Sequence, residues 1–373
     1  MTLSTHLRRN LIRGAIILAA GAVAWSGWQV FAIWRAWSNV ERFPFDPIAA
    51  QENLDQQGTI SVTTTTGGAT SATGTSGEDI EVPGTLPPDV TLPTSPHLDP
   101  GALQAFLVIG SDERPSLGSG GRADVIILML LPADGADPVM VSIPRDLYLP
   151  NPCTGGYTRI NATLNGCGQA ASGPELLSIA ILDFTGVEID HFAMFDFEGF
   201  KAIIDRVGGV EICVEHAVRD AKTEPPLDLP AGCTVADGGM TLSWMRSRHT
   251  KELVNGVWRS MPGVNDLTRN QRQQELLLEA LTRLKAFRSI TEFASLVQDV
   301  ANAFAIDEGL SLGDAISLAW DMRGLEVASI RRPTIPAGTY ITDAGAYVLL
   351  PLASFAEVLE SAYPGAAALV SGD

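Results

Sequence analysis

The feature that most constrains this chain is an uncharged run near its start, GAIILAAGAVAWSGWQVFAIW at residues 14–34. As a helix its 21 residues would rise about 31 Å, the thickness of a bilayer's hydrocarbon core. Arg8, Arg9 and Arg13 precede it with no acid among them. The expected topology is therefore a cytoplasmic tail (1–13), one membrane-spanning helix (14–34), and export of everything that follows. Trp25, Trp28, Trp34 and Trp37 suit the outer interface. The competing reading is a cleaved signal peptide ending at Ala22-Val23-Ala24, but the apolar run continues past that site. Both readings place the bulk of the chain outside the cell.

Cysteine usage agrees with export. The four cysteines, at 153, 167, 213 and 233, all follow the apolar run. Three pairings are possible. Cys153–Cys167 and Cys213–Cys233 are favoured, because each closes a local loop rich in turn residues, worth about 3 kcal/mol by chain entropy. There is no CxxC, and the spacings are wrong for a zinc site.

Residues 35–101 divide into a mixed juxtamembrane stretch (38–56) and a Thr/Ser/Gly/Pro-dominated stretch (57–101) that reads as a flexible linker. From 102 to 365 the pattern is that of one α/β domain, with 366–373 a short tail. FLVIG (106–110), DVIILMLL (124–131) and VMVSI (139–143) read as buried strands, and HFAMF (191–195) and VEICV (210–214) as further strands. Helices are expected at 173–186, from the Asp196 cap to Gly208-Gly209, and at 237–247, 268–287, 290–304, 311–320 and 351–362. Strands near 325–330 and 346–350 close the chain. Alternating strands and helices imply a central mixed sheet with helices on both faces, a three-layer domain.

The net charge of −18 argues against nucleic-acid binding and makes any cluster of cations worth tracing. Lysine occurs only four times, so cationic chemistry falls to arginine, the residue suited to bidentate grip on phosphate. Three polar segments interrupt the apolar pattern. GSDERPSLGSGGRAD (110–124) offers Asp112, Arg114, Arg122 and Asp124 between two buried strands. SIPRD (142–146) follows another strand. WMRSRH (244–249) ends a helix. The helix that follows, DLTRNQRQQELLLEAL (266–281), carries Asp266, Arg269, Asn270 and Gln273 on the face that continues as Leu277, Leu281 and Leu284. Such a face is either a self-satisfied polar network or the wall of a cavity holding something charged. Individually each segment also has an ordinary structural reading: a salt bridge for Arg145-Asp146, a cation at a helix C-terminus for Arg246 and Arg248, a cap for Asp266. His191, His216 and His249 are given no chemical role. No HExxH, GxSxG or Walker loop is present.

Together the segments resemble the LytR-CpsA-Psr family of bacterial cell-wall proteins. The resemblance runs over 103–287 through FLVIGSDER, GRADVIIL, SIPRDLYLP, RINATLNGCG, GVEIDHFAMFDFEGFKAIIDRVGGVEI, LSWMRSRH and DLTRNQRQQELLLEAL. It implies a phosphotransferase that moves a glycopolymer from a polyprenyl-pyrophosphate carrier onto peptidoglycan, aided by Mg²⁺ or Mn²⁺. It implies metal binding by Asp112 and Asp124, and pyrophosphate contacts from Arg122, Arg145, Arg246, Arg248 and Arg269 with Gln273. Arg122, Asp124, Arg145, Arg248 and Arg269 are the implied catalytic set, oriented by Asp146 and Asp266. The alternatives are a lipid-pyrophosphate pyrophosphatase and a non-catalytic wall-glycan anchor. A transcription regulator fits poorly, because the cytoplasmic tail is too short for a DNA-reading fold. The chain departs from the family pattern at Gly120-Gly121 and in the insertion-like stretch TKELVNGVWRSMPGVN (250–265).

Overall fold

A computed structural model describes residues 28, 31–60, 84, 86, 90–111, 121–262 and 304–363, together with 272, 274–276, 278–280, 282, 283 and 292. After a helix over 31–38 (α1) come β1 (Glu41–Phe43), α2 (Pro47–Ile60), β2 (Leu103–Ser111), β3 (Ala123–Pro132), β4 (Val139–Ser142), β5 (Tyr148–Pro150) and β6 (Tyr157–Arg159). Then follow α3 (Gly173–Thr185), β7 (His191–Phe195), α4 (Phe197–Arg206), β8 (Val210–Val214), β9 (Val218–Asp220), β10 (Leu227–Leu229), β11 (Gly232–Ala236) and α5 (Gly238–Arg246). After β12 (Lys251–Val254) and β13 (Val257–Ser260), the described residues of 272–283 are helical (α6). β14 (Phe304–Asp307), α7 (Leu312–Arg323), β15 (Ala337–Ile341), β16 (Tyr347–Pro351) and α8 (Phe355–Ala362) complete the order.

The central sheet has the order β1-β14-β7-β2-β3-β4. It is mixed: β7 runs parallel to β2, and β3 is antiparallel to both β2 and β4. Successive side chains on a strand face opposite ways, and β3 buries both sets. Ile126, Leu128 and Leu130 join one core with Leu177, Ile181 and Phe184 of α3 and Phe355 of α8. Val125, Ile127 and Met129 join a second core with Phe200 of α4, Trp244 of α5 and Leu276 of α6. The expected three layers are therefore present.

The strands expected at 191–195 and 210–214 match β7 and β8 residue for residue. Asp196 caps α4, its carboxylate accepting the Gly199 amide at 2.6 Å, and Asp237 caps α5 through the Met240 amide at 2.8 Å. Both expected disulfides are formed, Cys153–Cys167 and Cys213–Cys233, the latter between directly opposed residues of β8 and β11.

Three expectations are corrected. The region near 325–330 is a short 3-10 helix, Val327–Ser329, rather than a strand. The C-terminal part of the expected linker is packed: Leu98 is buried and its amide donates to the Gly186 carbonyl at 2.8 Å. Gly186, at φ 72°, closes α3 so tightly against Pro96 that an added Cβ would lie 2.0 Å from that carbonyl oxygen. The juxtamembrane stretch is also part of the body. β1 pairs with β14, and Ala50 and Leu54 of α2 pack on Leu176 and Ile179 of α3. The residues flanking 61–83 thus belong to one folded unit, and 61–83 itself lies outside the described residues. Most of the expected span 14–34, and most of the expected helix 290–304, lie outside the described residues. Phe304 itself begins β14. Among the described residues no helix is long and apolar enough to cross a membrane.

Candidate functional site

A cleft of about 510 Å³ opens beside the start of β3. One lip is built by the sheet. β2 ends in a bulge at Gly110/Ser111, where an added Cβ on Gly110 would lie 2.9 Å from Val125. β3 begins opposite, with Asp124 as its second residue. β4 ends at Ser142, and the turn after it carries Arg145 back across β3. The Arg145 guanidinium is ion-paired with the Asp124 carboxylate, and its Nε lies 3.4 Å from Asp146 Oδ2. The other oxygen of Asp146 faces Arg159 Nε at 3.4 Å, and Arg159 Nη2 donates to the Tyr347 carbonyl at 3.1 Å. Arg145 is therefore held in a relay of alternating charges across three segments.

The other lip is the C-terminal end of α5. Ser247 turns inward, 2% exposed, while Arg246 and Arg248 on either side are exposed toward the cleft. The inward turn is anchored on Asp220, the last residue of β9, itself 4% exposed. Asp220 Oδ2 accepts the Ser247 hydroxyl at 2.7 Å and the His249 amide at 3.0 Å, and Oδ1 accepts the Lys222 amide at 2.9 Å. Ser247 also shares a 2.6 Å hydrogen bond with Thr250. Burial pushes the Asp220 carboxyl up, but the Ser247 hydroxyl, the two amides and the nearby His249 ring together outweigh it and hold the group below an ordinary aspartate. Arg246 lies over the Phe197 ring at 4.4 Å, a cation–π contact.

The structure thus brings Asp124, Arg145, Arg246 and Arg248 to one cleft. Asp146 touches Arg145, as an orienting residue must. Arg122 is exposed at the foot of β3, two residues before Asp124. Asp112, Asp266, Arg269 and Gln273 lie outside the described residues, as do Leu277, Leu281 and Leu284. Arg272, a described residue of α6, is buried between Trp244, 4.0 Å from its ring, and Met261, whose sulfur accepts from Nη2 at 3.6 Å.

Sequence reasoning missed Lys222, Thr223 and His249, which line the same cleft, and Asp220 beneath them. No motif marks them; β9 reaches the site by pairing with β12. Residues 251–260 of the insertion-like stretch form the hairpin β12–β13. Its turn, Asn255-Gly256 at φ 52° and 78°, is a two-residue hairpin signal legible in the sequence.

Chemically, three guanidiniums and an ammonium face a cleft that also holds the carboxylates of Asp124 and Glu224, in a chain of net charge −18. Such a cleft suits a multiply charged anion. Asp220 has both oxygens committed to backbone and hydroxyl donors, so it serves as a support for the lip. Asp124 offers the hard oxygen that a Mg²⁺-type ion takes, while sharing its carboxylate with Arg145.

Comparison with known proteins gives a consistent picture. The model of the LytR_cpsA_psr family matches residues 89–362. "Probable cell wall biosynthesis protein LcpB" of Corynebacterium glutamicum is 31% identical over 255 residues, covering 63% of this chain and 55% of that protein. A "Polyisoprenyl-teichoic acid--peptidoglycan teichoic acid transferase TagU" of Oceanobacillus iheyensis is 28% identical over 202 residues, covering 54% of this chain and 58% of that one. The chain thus spans about half the length of the curated relatives it matches. Among solved structures, a "LytR-Csp2A-Psr enzyme from Actinomyces oris" superposes with a TM-score of 0.56 at 24% identity, over 75% of this chain and 96% of that one, a likeness of fold.

Proposed function

The chain belongs to the LytR-CpsA-Psr family, and from that premise we propose that it is a phosphotransferase joining a glycopolymer, delivered on a polyprenyl-pyrophosphate carrier, to peptidoglycan. The observation that carries this reading is the convergence of Arg145, Arg246 and Arg248 on one cleft beside Asp124. The names of the relatives, which speak of polyisoprenyl-teichoic acid and peptidoglycan, support the substrate class.

A pyrophosphate diester carries two negative charges and many acceptor oxygens. Guanidiniums meet both needs and stay charged at every relevant pH. Arg145 enters already aligned by Asp124 and Asp146, and Arg246 and Arg248 approach from the opposite lip. Arg122, Arg269 and Gln273 are proposed to complete the grip. The acceptor hydroxyl attacks the phosphorus attached to the glycan, the P–O–P bridge breaks, and polyprenyl monophosphate leaves. The arginines stabilise charge building on the departing and equatorial oxygens, so catalysis rests on positioning and electrostatics. Asp124, with Asp112, is proposed to hold Mg²⁺ or Mn²⁺. That ion would supply further positive charge to the phosphate oxygens. Residues 14–34 are proposed as the membrane span, with the cleft outside the cell and near the lipid it serves. The chain's acidity supports the absence of nucleic-acid partners.

The test is product analysis with the full chain in vesicles, Mg²⁺, a polyprenyl-pyrophosphate oligosaccharide and peptidoglycan. The expected result is sugar joined to peptidoglycan by a phosphodiester, with polyprenyl monophosphate released. Free sugar phosphate alone would instead establish the lipid pyrophosphatase. Binding without bond cleavage would leave a glycan anchor.

A further inference from the structure

α1 and α7 meet at the edge of the central sheet. Val40, just past α1, is buried with Ile306 of β14 and Leu310, and Trp37 and Ala315 pack on that same small cluster. Arg42 reinforces the junction: it lies 5.1 Å over the Trp37 ring and donates to the Leu310 carbonyl at 3.3 Å. The height of α7 relative to α1 is therefore fixed by packing.

Each helix exposes large apolar side chains. On α1 and the residues leading into it, Trp28, Phe31 and Trp34 are 66%, 46% and 58% exposed, with successive ring centroids 6.1 Å apart. Opposite them Ile33 and Ala36 are buried. The exposed ladder continues the uncharged run that starts at residue 14. On α7, Ile316 and Trp320 are 39% and 60% exposed, and at i, i+4 they share one face. The opposite face, Asp314, Ser317 and Leu318, lines a separate cavity of about 640 Å³ with Phe106 and Leu131. Ile316 and Trp320 therefore look away from the body.

We infer that α7 is a second membrane contact, lying in the outer headgroup layer with Ile316 and Trp320 inserted into the lipid surface. This rests on the proposed membrane span. If the hydrocarbon ends near Trp34, Trp37 stands about 5 Å beyond it. The headgroup layer is about 5–8 Å thick, so the cluster on which Trp37 and Ala315 both pack falls inside it. A tryptophan beside an isoleucine suits that layer. By sequence α7 carries Asp314, Asp321 and Arg323, a net charge of −1, so the contact is assigned to its apolar residues and not to attraction by anionic lipid.

The four cysteines are all in disulfides, so a fifth, introduced singly, carries a unique nitroxide label. Trp28→Cys, Ile316→Cys and Ser317→Cys are compared in the full chain reconstituted in phosphatidylethanolamine/phosphatidylglycerol vesicles. The readout is the ratio of oxygen to aqueous nickel-chelate accessibility. The expected result is a hydrocarbon value at 28, and a ratio at 316 at least about threefold above that at 317. A hydrocarbon value at 28 with equal, water-like values at 316 and 317 overturns the α7 contact alone. A water-like value at 28 overturns the membrane span and this inference with it. Spin–spin broadening at 316 that disappears on dilution with unlabelled chain assigns the face to a second copy and overturns the lipid contact.

Discussion

The two lips of the cleft present the same residue type on opposite kinds of support. Arg145 is positioned by charge: Asp124 and Asp146 hold it, and its side chain is only 15% exposed. Arg246 and Arg248 are positioned by backbone: they stand exposed on a turn whose middle residue, Ser247, is bonded inward to Asp220. A guanidinium held by carboxylates is rigid but must share its charge with them. One mounted on a neutral turn offers its full charge but depends on a carboxylate beneath it. The comparison predicts that the first lip fails by losing an ion and the second by losing a scaffold.

The largest effect is expected at the first lip. On the proposed phosphotransfer, Arg145→Ala removes a cation from the cleft and leaves Asp124 and Asp146 to repel an anionic substrate, so kcat/KM for transfer should fall about 10³-fold, read by product formation. Arg145→Lys should recover little of it, because an ammonium does not reproduce the planar, two-sided grip. Full activity in Arg145→Lys would break the comparison.

At the second lip, Asp220→Ala should cost about 3 kcal/mol in urea denaturation, since it strands a buried hydroxyl and two amides. Transfer should fall about tenfold through KM, as Arg246 and Arg248 lose their mount. Because its folded value is lowered, Asp220 contributes stability that is complete above an unfolded aspartate's value of about 3.9 and is lost as pH falls through the lowered value. Denaturation of the parent chain on acidification below about pH 4 should therefore include an Asp220 contribution that the alanine variant lacks. The smallest effect is expected for Phe197→Ala, which leaves Arg246 in place without its ring; transfer should drop about threefold, mostly in KM.

How much was legible in the sequence follows the same division. β2 and β3 were readable because both faces of each are apolar, and α4 because Asp196 and Gly208 punctuate it. Asp124, Arg145, Arg246 and Arg248 were readable because each sits at the end of such an element. Their convergence followed from the order of seven motifs and from no single one. Asp220, Lys222 and Thr223 were not readable, because only the non-local pairing of β9 with β12 brings them to the cleft. β1 was hidden for a like reason: Glu-Arg-Phe becomes a strand only against Ala305–Asp307, far along the chain. The Asn255-Gly256 turn is legible as a two-residue hairpin signal inside the insertion-like stretch.

The docking of α1, β1 and α2 onto the body changes what the Thr/Ser/Gly stretch means for the protein's reach. The chain is anchored on both sides of residues 61–83, by α2 on α3 and by Gly84 on Tyr157, so lengthening it between these anchors should leave the working radius of the cleft unchanged. If residues 14–34 span the membrane and the cleft transfers polymer, as proposed, glycan strands would have to come within a fixed standoff of the bilayer to receive it.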